Sequence, residues 1–203
     1  MKKITSSAIL ALVLVTTTIE AGSWYLGLEQ SLMNNVDNTT ESGRYSYSND
    51  ETSNITSFKI GKTSGSRSQG NHYEFVYNKG EKSANPTGGL TGSSLTSFGF
   101  NWNITAPKLS PKEEVLPYFR FGLNYAISDD KYRIYGTSNR KEKYSAFGIV
   151  LGLGSYYYIT DKFSVSAGFD YGYRKWDTLT NGWYDIESTD KIKKLYVGLG
   201  YEF

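Results

Sequence analysis

The only histidine of the chain, His72, stands in the run Asn71-His72-Tyr73-Glu74. A histidine works as a general acid or base only with a partner in hydrogen-bond reach. Here a carboxylate lies two residues away, and the His-x-Ser spacing that would pair the ring with a serine is missing. A lone histidine near the end of a segment reads by default as a solvated group. Cysteine is absent, so one imidazole without thiolates makes a poor metal site. Gly61-Lys62-Thr63 resembles the end of a phosphate-binding loop, but the glycine required five positions earlier is Thr56. The run Arg140-Lys141-Glu142-Lys143 could meet an anionic surface, although a solvated loop is the commoner meaning of so short a cluster. The expectation is no catalytic residue, no metal and no cofactor.

Charges at other positions are more informative. Glu29, Lys59, Glu74, Arg120, Asp170, Arg174, Lys194 and Glu202 all fall on the polar side of alternating segments, four acidic and four basic. Charges facing a narrow interior are costly unless paired. Lys59 and Glu74 lie symmetrically about a turn over 62–71 and are expected to face each other across adjacent strands. Asp170 and Lys194 stand at similar heights on the last hairpin. A conducting pore tends to carry a ring of one sign, so the balanced set points to a sealed or nearly sealed interior.

The elements that must position these groups are strands. Aromatics make up 16% of the 203 residues, with 18 Tyr and 21 Gly, a mixture that favours strands and tight turns. Mean hydropathy is −0.46, which excludes a bundle of transmembrane helices. The formal charge is +2 with both signs scattered, so no basic face for nucleic acid is present. Period-two alternation recurs in eight segments. The clearest set Phe98, Phe100, Trp102 and Ile104 against Gly99, Asn101 and Asn103, and Phe119, Phe121, Leu123 and Tyr125 against Arg120, Gly122 and Asn124. The weakest sets Phe58 and Ile60 against Lys59 and Gly61. The bulky, aromatic parity suits lipid, and the small polar parity suits a narrow lumen rather than a water-exposed surface. The pattern predicts an all-β fold, an eight-stranded antiparallel transmembrane β-barrel with up-and-down meander topology. A soluble barrel obeys the same alternation, but it turns its bulky residues inward. Longer connections are expected at 33–54, 78–94, 127–144 and 177–191, and shorter ones at 62–71, 105–116 and 159–162. Pro107, Pro111 and Pro117 should keep the middle turn out of any ladder.

The N-terminus reads as an export signal. Lys2 and Lys3 precede an apolar run from Ala8 to Val15, and Thr16 to Ala21 leads to a cut after Ala21. That gives residues 1–21 as a cleaved signal peptide and 22–203 as one barrel domain.

The last nine residues, Leu195 to Phe203, place Leu195, Val197, Leu199, Tyr201 and Phe203 at every second position and close on an aromatic. This run resembles the terminal strand by which outer-membrane barrels are recognised for assembly. With the export signal, the chain resembles the small OmpA/OmpX-like outer-membrane barrels over its mature length. The resemblance implies an integral outer-membrane location in a Gram-negative envelope and a monomer. It implies outer-membrane lipid and lipopolysaccharide as surroundings, and the barrel-assembly machinery and periplasmic chaperones as partners. It marks those five residues as the assembly signal. Because the chain stops at Phe203, a cell-wall-binding domain of the kind that follows some such barrels is not expected. The expected role is non-enzymatic, structural or adhesin-like, through the outer loops, whose ligand the sequence does not name. The alternatives are a small pore or hydrophobic-molecule porter, and a lipid A-modifying enzyme. His72 argues against the enzyme, since its place is a lumenal, periplasmic one, away from the outer leaflet that holds lipid A.

Overall fold

The computed structural model describes residues 22–64, 70–83, 93–110, 114–128, 132–133, 141–180 and 185–203. The export signal proposed for residues 1–21 lies outside them, as does Arg140 of the basic run. The strands are β1 (Trp24–Ser42), β2 (Tyr45–Thr52), β3 (Thr56–Thr63), β4 (His72–Ser83), β5 (Ser93–Thr105) and β6 (Val115–Ser128). They continue with β7 (Tyr132–Arg133), β8 (Lys141–Glu142), β9 (Ser145–Tyr158), β10 (Phe163–Trp176), β11 (Leu179–Thr180) and β12 (Asp185–Glu202).

Each long strand pairs antiparallel with the next, and β12 pairs back onto β1 from Tyr25↔Glu202 to Ser42↔Ile186. β3 and β2 occupy the same flank of β1, one beyond the other, so together they form the second wall strand. The result is a closed eight-stranded meander barrel. Closure follows from the solvent: hydrocarbon offers no partner to a free strand edge, so a membrane sheet must pair its last strand with its first.

Alternation sorts the side chains as the solvent demands. Leu26, Leu28, Phe58, Ile60, Phe98, Phe119, Phe121, Leu151, Leu153, Phe169 and Leu199 are exposed on the outer wall. Glu29, Lys59, Glu74, Arg120, Asp170 and Arg174 are buried inside. Two aromatics of the inner face lie against glycines. A Cβ on Gly154 would come within 2.5 Å of the Tyr118 hydroxyl, and one on Gly168 would strike the Tyr196 hydroxyl. An eight-stranded barrel leaves just enough room for its own side chains, and these glycines make the space for two rings.

The described parts of the stretches read as outer connections are largely strand. β1 runs on to Ser42 and turns through Gly43, whose φ is 59°, into β2. β4 reaches Ser83, and β12 already begins at Asp185. These extensions lie beyond the apolar wall, where both faces are polar and alternation leaves no hydrophobic mark. A bulge interrupts β1 between Ser31 and Met33, so Leu32 and Met33 both face outward and Asn34, Val36, Asn38 and Thr40 face in. Pro107 opens a short 3₁₀ turn, Pro107–Leu109. Pro117, expected outside the ladder, lies within β6. Its carbonyl accepts the Ala106 N–H at 2.8 Å, and the N–H it lacks falls at the end of that ladder, where the loss is small.

Candidate functional site: the charged plug of the lumen

Six strands each send one charged side chain to the middle of the barrel: Glu29 from β1, Lys59 from β3, Glu74 from β4, Arg120 from β6, Asp170 from β10 and Lys194 from β12. Arg120 is the hub. Its Nη1 lies 2.9 Å from Asp170 Oδ2, and its Nη2 lies 3.4 Å from Glu29 Oε2 and 3.7 Å from Glu74 Oε2. Its Nε donates to Asn103 Oδ1 at 3.0 Å. Lys194 reaches Glu29 Oε1 at 2.7 Å and Asp170 Oδ2 at 3.2 Å. Lys59 is ion-paired to Glu29 and lies 3.4 Å from Glu74 Oε2. Three acids and three bases thus interlock, each touching at least two of the opposite sign. Such balance is what a buried cluster needs, since one uncompensated charge costs several kcal/mol.

The strand register refines the pairing. Asp170 and Lys194 are direct cross-strand partners. Lys59 stands opposite Val76, and Glu74 opposite Gly61. The Lys59–Glu74 contact is therefore diagonal, because the β3–β4 ladder ends on Thr63↔His72 rather than centring one residue earlier. Glu29, from the other neighbouring strand, is the closer partner of Lys59.

Below the ions lies an aromatic floor. Tyr196 is fully buried, with the Arg120 guanidinium carbon 4.6 Å and the Lys194 and Lys59 ammonium groups 5.1 and 5.7 Å from its ring centroid. Its hydroxyl shares a 2.6 Å hydrogen bond with that of Tyr118. Cations held over an aromatic face gain further stabilisation when water is excluded. Tyr118, Tyr156, Tyr158 and Leu116 pack together toward the end that carries the termini.

His72 is not the solvated group that its sequence context suggests. It is 3% exposed, stacked on Tyr156 at 4.4 Å between ring centroids and met edge-on by Tyr25 at 5.5 Å. Its Nε2 is 3.4 Å from the Tyr158 hydroxyl. The rings that bury it come from β1 and β9, distant in sequence, so local reading could not supply them. Among the described residues no group of three His, Cys, Asp or Glu side chains is placed to hold a metal.

A second ion cluster lies toward the opposite end, and its acids escaped the sequence analysis. Arg174 Nη1 meets Glu81 Oε1 at 2.7 Å and Nη2 meets Asp190 Oδ2 at 2.8 Å. Trp176 and Asn38 donate to the Asp190 carboxylate at 2.9 and 2.6 Å, and Ser97 donates to Glu81 at 2.8 Å. Asp190 lies on the parity of Lys194 and could have been found by continuing the count. Glu81 could not, because β4 shifts register between Asn78 and Glu81 through Gly80, whose φ is 84°. That positive φ, which glycine adopts without strain, turns an odd-numbered side chain inward. Beside this cluster Leu95, Ala126, Tyr144, Ala146 and Trp176 form a small apolar group.

Leu195, Val197, Leu199 and Tyr201 on the outer face of β12, and Phe203 just past its end, are all exposed. The Phe203 N–H donates to the Trp24 carbonyl at 2.9 Å, so the last residue sits at the seam where the barrel closes.

The architecture defines a closed transmembrane β-barrel with an apolar exterior and an ionic interior. Comparison with solved structures places its fold among the small outer-membrane barrels. Neisserial surface protein A matches over 91% of this chain and 100% of its own, at 18% identity and a TM-score of 0.52. The outer-membrane protein AlkL matches over 90% of both chains at 17% identity and 0.49. The N-terminal barrel of Pseudomonas aeruginosa OprF matches over 90% of this chain and 100% of its own, at 14% and 0.43. No family model and no curated protein matches the sequence.

Proposed function

We propose that the protein is a monomeric, non-enzymatic barrel of the Gram-negative outer membrane whose outward end engages a surface partner. The supporting observation is the contrast between its two parts. The lumen is filled by interlocked ions and tyrosines, while β1, β2 and β12 extend as a sheet beyond the apolar wall. On the outside of that wall Tyr171 and Tyr173 stand beside their exposed cross-strand partners Lys193 and Lys191, and exposed Lys175 follows. Two of these pair with exposed acids, Lys193 with Asp37 at 3.0 Å and Lys175 with Glu187 at 2.9 Å. Aromatic then charged residues mark the edge of the hydrocarbon, and the lysines suit the phosphates of lipopolysaccharide. Asn35 pairs with both Lys193 and Thr52, and Asp37 with both Lys191 and Asp50, so β2 begins level with this collar and runs outward from it.

In this reading residues 1–21 are removed on export. The barrel-assembly machinery recognises Leu195, Val197, Leu199, Tyr201 and Phe203, and periplasmic chaperones escort the chain. The termini face the periplasm and the β1–β2 hairpin faces the medium. Whole-cell labelling combined with planar-bilayer recording tests it. A cysteine at Asn49 should react with an impermeant thiol reagent on intact cells, and refolded protein should give no unitary conductance steps. An unreactive Asn49 position or stable steps in the wild-type protein would overturn it.

A further inference from the structure

On β1, β3, β4 and β5 the lipid-facing side chains stand in cross-strand rows. One row runs Leu28↔Phe58↔Tyr77↔Phe98, and the next row toward the termini runs Leu26↔Ile60↔Phe75↔Phe100. Rings meet within each row: Phe58 and Tyr77 at 6.3 Å between centroids, Tyr77 and Phe98 at 5.4 Å, Phe75 and Phe100 at 5.6 Å. Tyr73 and Phe100, at 6.4 Å, tie the lower row to the one beneath it. Among the described residues no ring contact joins the two rows to each other, and a groove of about 360 Å³ opens between them.

Its floor is the row Lys59↔Val76↔Gly99, which sends no side chain outward. Its walls are exposed Phe58, Phe98, Leu26 and Ile60 with half-buried Phe75 and Tyr77. The rows stand two residues apart along each strand, about 7 Å, and the groove crosses three strand spacings, about 14 Å. Less the bulk of the flanking side chains, that width admits a single hydrocarbon chain. The volume is that of a ligand site, for which roughly 300–1,000 Å³ is usual.

The groove has a direction. Strands of such a barrel tilt by about 35–45°, so rows across them climb as they go round. Past Phe98 the upper row continues through Tyr125 and Phe147 to Lys175, and it returns to β1 at Thr39, outward of Leu28 where it began. The β5 end of the groove is thus the end nearer the outer rim. Two exposed cations stand on that rim: Lys79, two residues beyond Tyr77 on the same face, and Lys175, which shares exposed Glu187.

We propose that this groove seats one saturated acyl chain of lipid A, held obliquely between the two aromatic rows with its phosphates at the lysines of the rim. Within hydrocarbon no hydrophobic force favours one chain over another, so selection falls to packing. Dispersion contacts are small singly and add over the length of a chain that fits. The groove is straight and its walls are rings, which suits a straight chain and excludes one bent by a cis double bond. The rim cations set the sign of the headgroup. The inference rests on the proposed orientation, because the climbing end must face the outer leaflet.

The test uses refolded barrel in detergent micelles with purified lipid A as the probe. Native mass spectrometry should retain one lipid A per barrel. Nuclear Overhauser contacts from its chain methylenes should reach Ile60, Phe75 and Phe98 and be several-fold weaker at Leu153 and Phe169 on the far wall. Dioleoyl phosphatidylethanolamine, kinked and without net charge, should be retained about tenfold less, the summed effect of many lost contacts. Ile60→Trp fills the groove from its own wall, and Lys79→Glu reverses a rim charge; each should lower retention of lipid A to a similar degree. Equal contacts on both walls, or equal retention of the kinked lipid, would reduce the groove to ordinary lipid surroundings and overturn the proposal. Dipalmitoyl phosphatidylglycerol, straight and anionic, should bind less than lipid A, and equal retention would overturn the choice of lipid A. The contact map is read on wild-type protein, so a misfolded variant leaves the test decisive. A micelle has no sides, so failure here is separate from failure of the orientation, which whole-cell labelling at Asn49 decides.

Discussion

Arg120 and Asp170 meet at 2.9 Å across the strand β9, which separates their own strands and contributes only Gly152 at that height. The glycine is what lets two strands that are not neighbours join through the lumen: a Cβ there would strike the Asp170 carboxylate. Arg120 also reaches Glu29 at 3.4 Å on the facing wall, so the plug is held across the barrel and its removal should be felt as both instability and leakage.

Arg120→Ala leaves Glu29, Glu74 and Asp170 with two lysines between them. Breaking a buried ion cluster in this way costs roughly 3–5 kcal/mol. Urea unfolding of the barrel in lipid vesicles should show a loss of that order, and planar-bilayer recording should reveal conductance steps in the variant and none in the wild type. Unchanged stability together with a silent membrane would mean the cluster neither seals nor stabilises.

Lys59 and Glu74 allow a double-mutant cycle. Lys59→Ala and Glu74→Ala should each cost about 1–3 kcal/mol, the range for leaving a buried polar partner unsatisfied. The double variant should recover only part of the sum, since Lys59 also holds Glu29 and Glu74 also faces Arg120. Strict additivity would show that water screens the pair.

Gly168→Ala introduces a methyl group against the Tyr196 hydroxyl. Overpacking of this kind costs roughly 1–3 kcal/mol. Tyr196→Phe removes the atom that is struck, so the double variant should lose less than the two single changes predict. A Gly168→Ala barrel as stable as wild type would show that the ring can move aside.

Deleting Phe203 should lower the amount of barrel reaching the outer membrane far more than it lowers refolding yield in detergent. The comparison separates recognition from stability, because Phe203 also contributes the hydrogen bond to Trp24. Equal losses in both settings would assign Phe203 to the seam alone.

Whole-cell labelling has an internal control. A cysteine at Lys162, in the tight connection before β10, should stay unreactive with the impermeant reagent while one at Asn49 reacts. The opposite pattern would invert the barrel in the membrane.

The barrel wall was legible in the sequence because hydrocarbon imposes one rule on it. Phe98 to Ile104 and Phe119 to Tyr125 must alternate, and they do so in plain letters. The inward parity of Lys59, Glu74, Arg120, Asp170 and Lys194 followed from the same count. The extended sheet was not legible, since Asn38 and Thr40 face inward and Thr39 and Glu41 outward with no apolar contrast between them. Glu81 was hidden by the bulge at Gly80. His72 was misread because Tyr25, Tyr156 and Tyr158 reach it across the lumen, a relation that no local spacing encodes.

The bulge between Ser31 and Met33 can be regarded as a phase boundary in the chain. On its membrane side the alternation is locked, because a slip of one residue would turn every lipid-facing side chain into the lumen. On its outer side the count restarts with Asn34. A residue inserted or lost in the β1–β2 hairpin therefore changes the phase of the exposed sheet and leaves Glu29 and the ionic plug untouched. Gly80 does the same for β4, and in this way the outer surface is free to drift in sequence while the wall keeps its register.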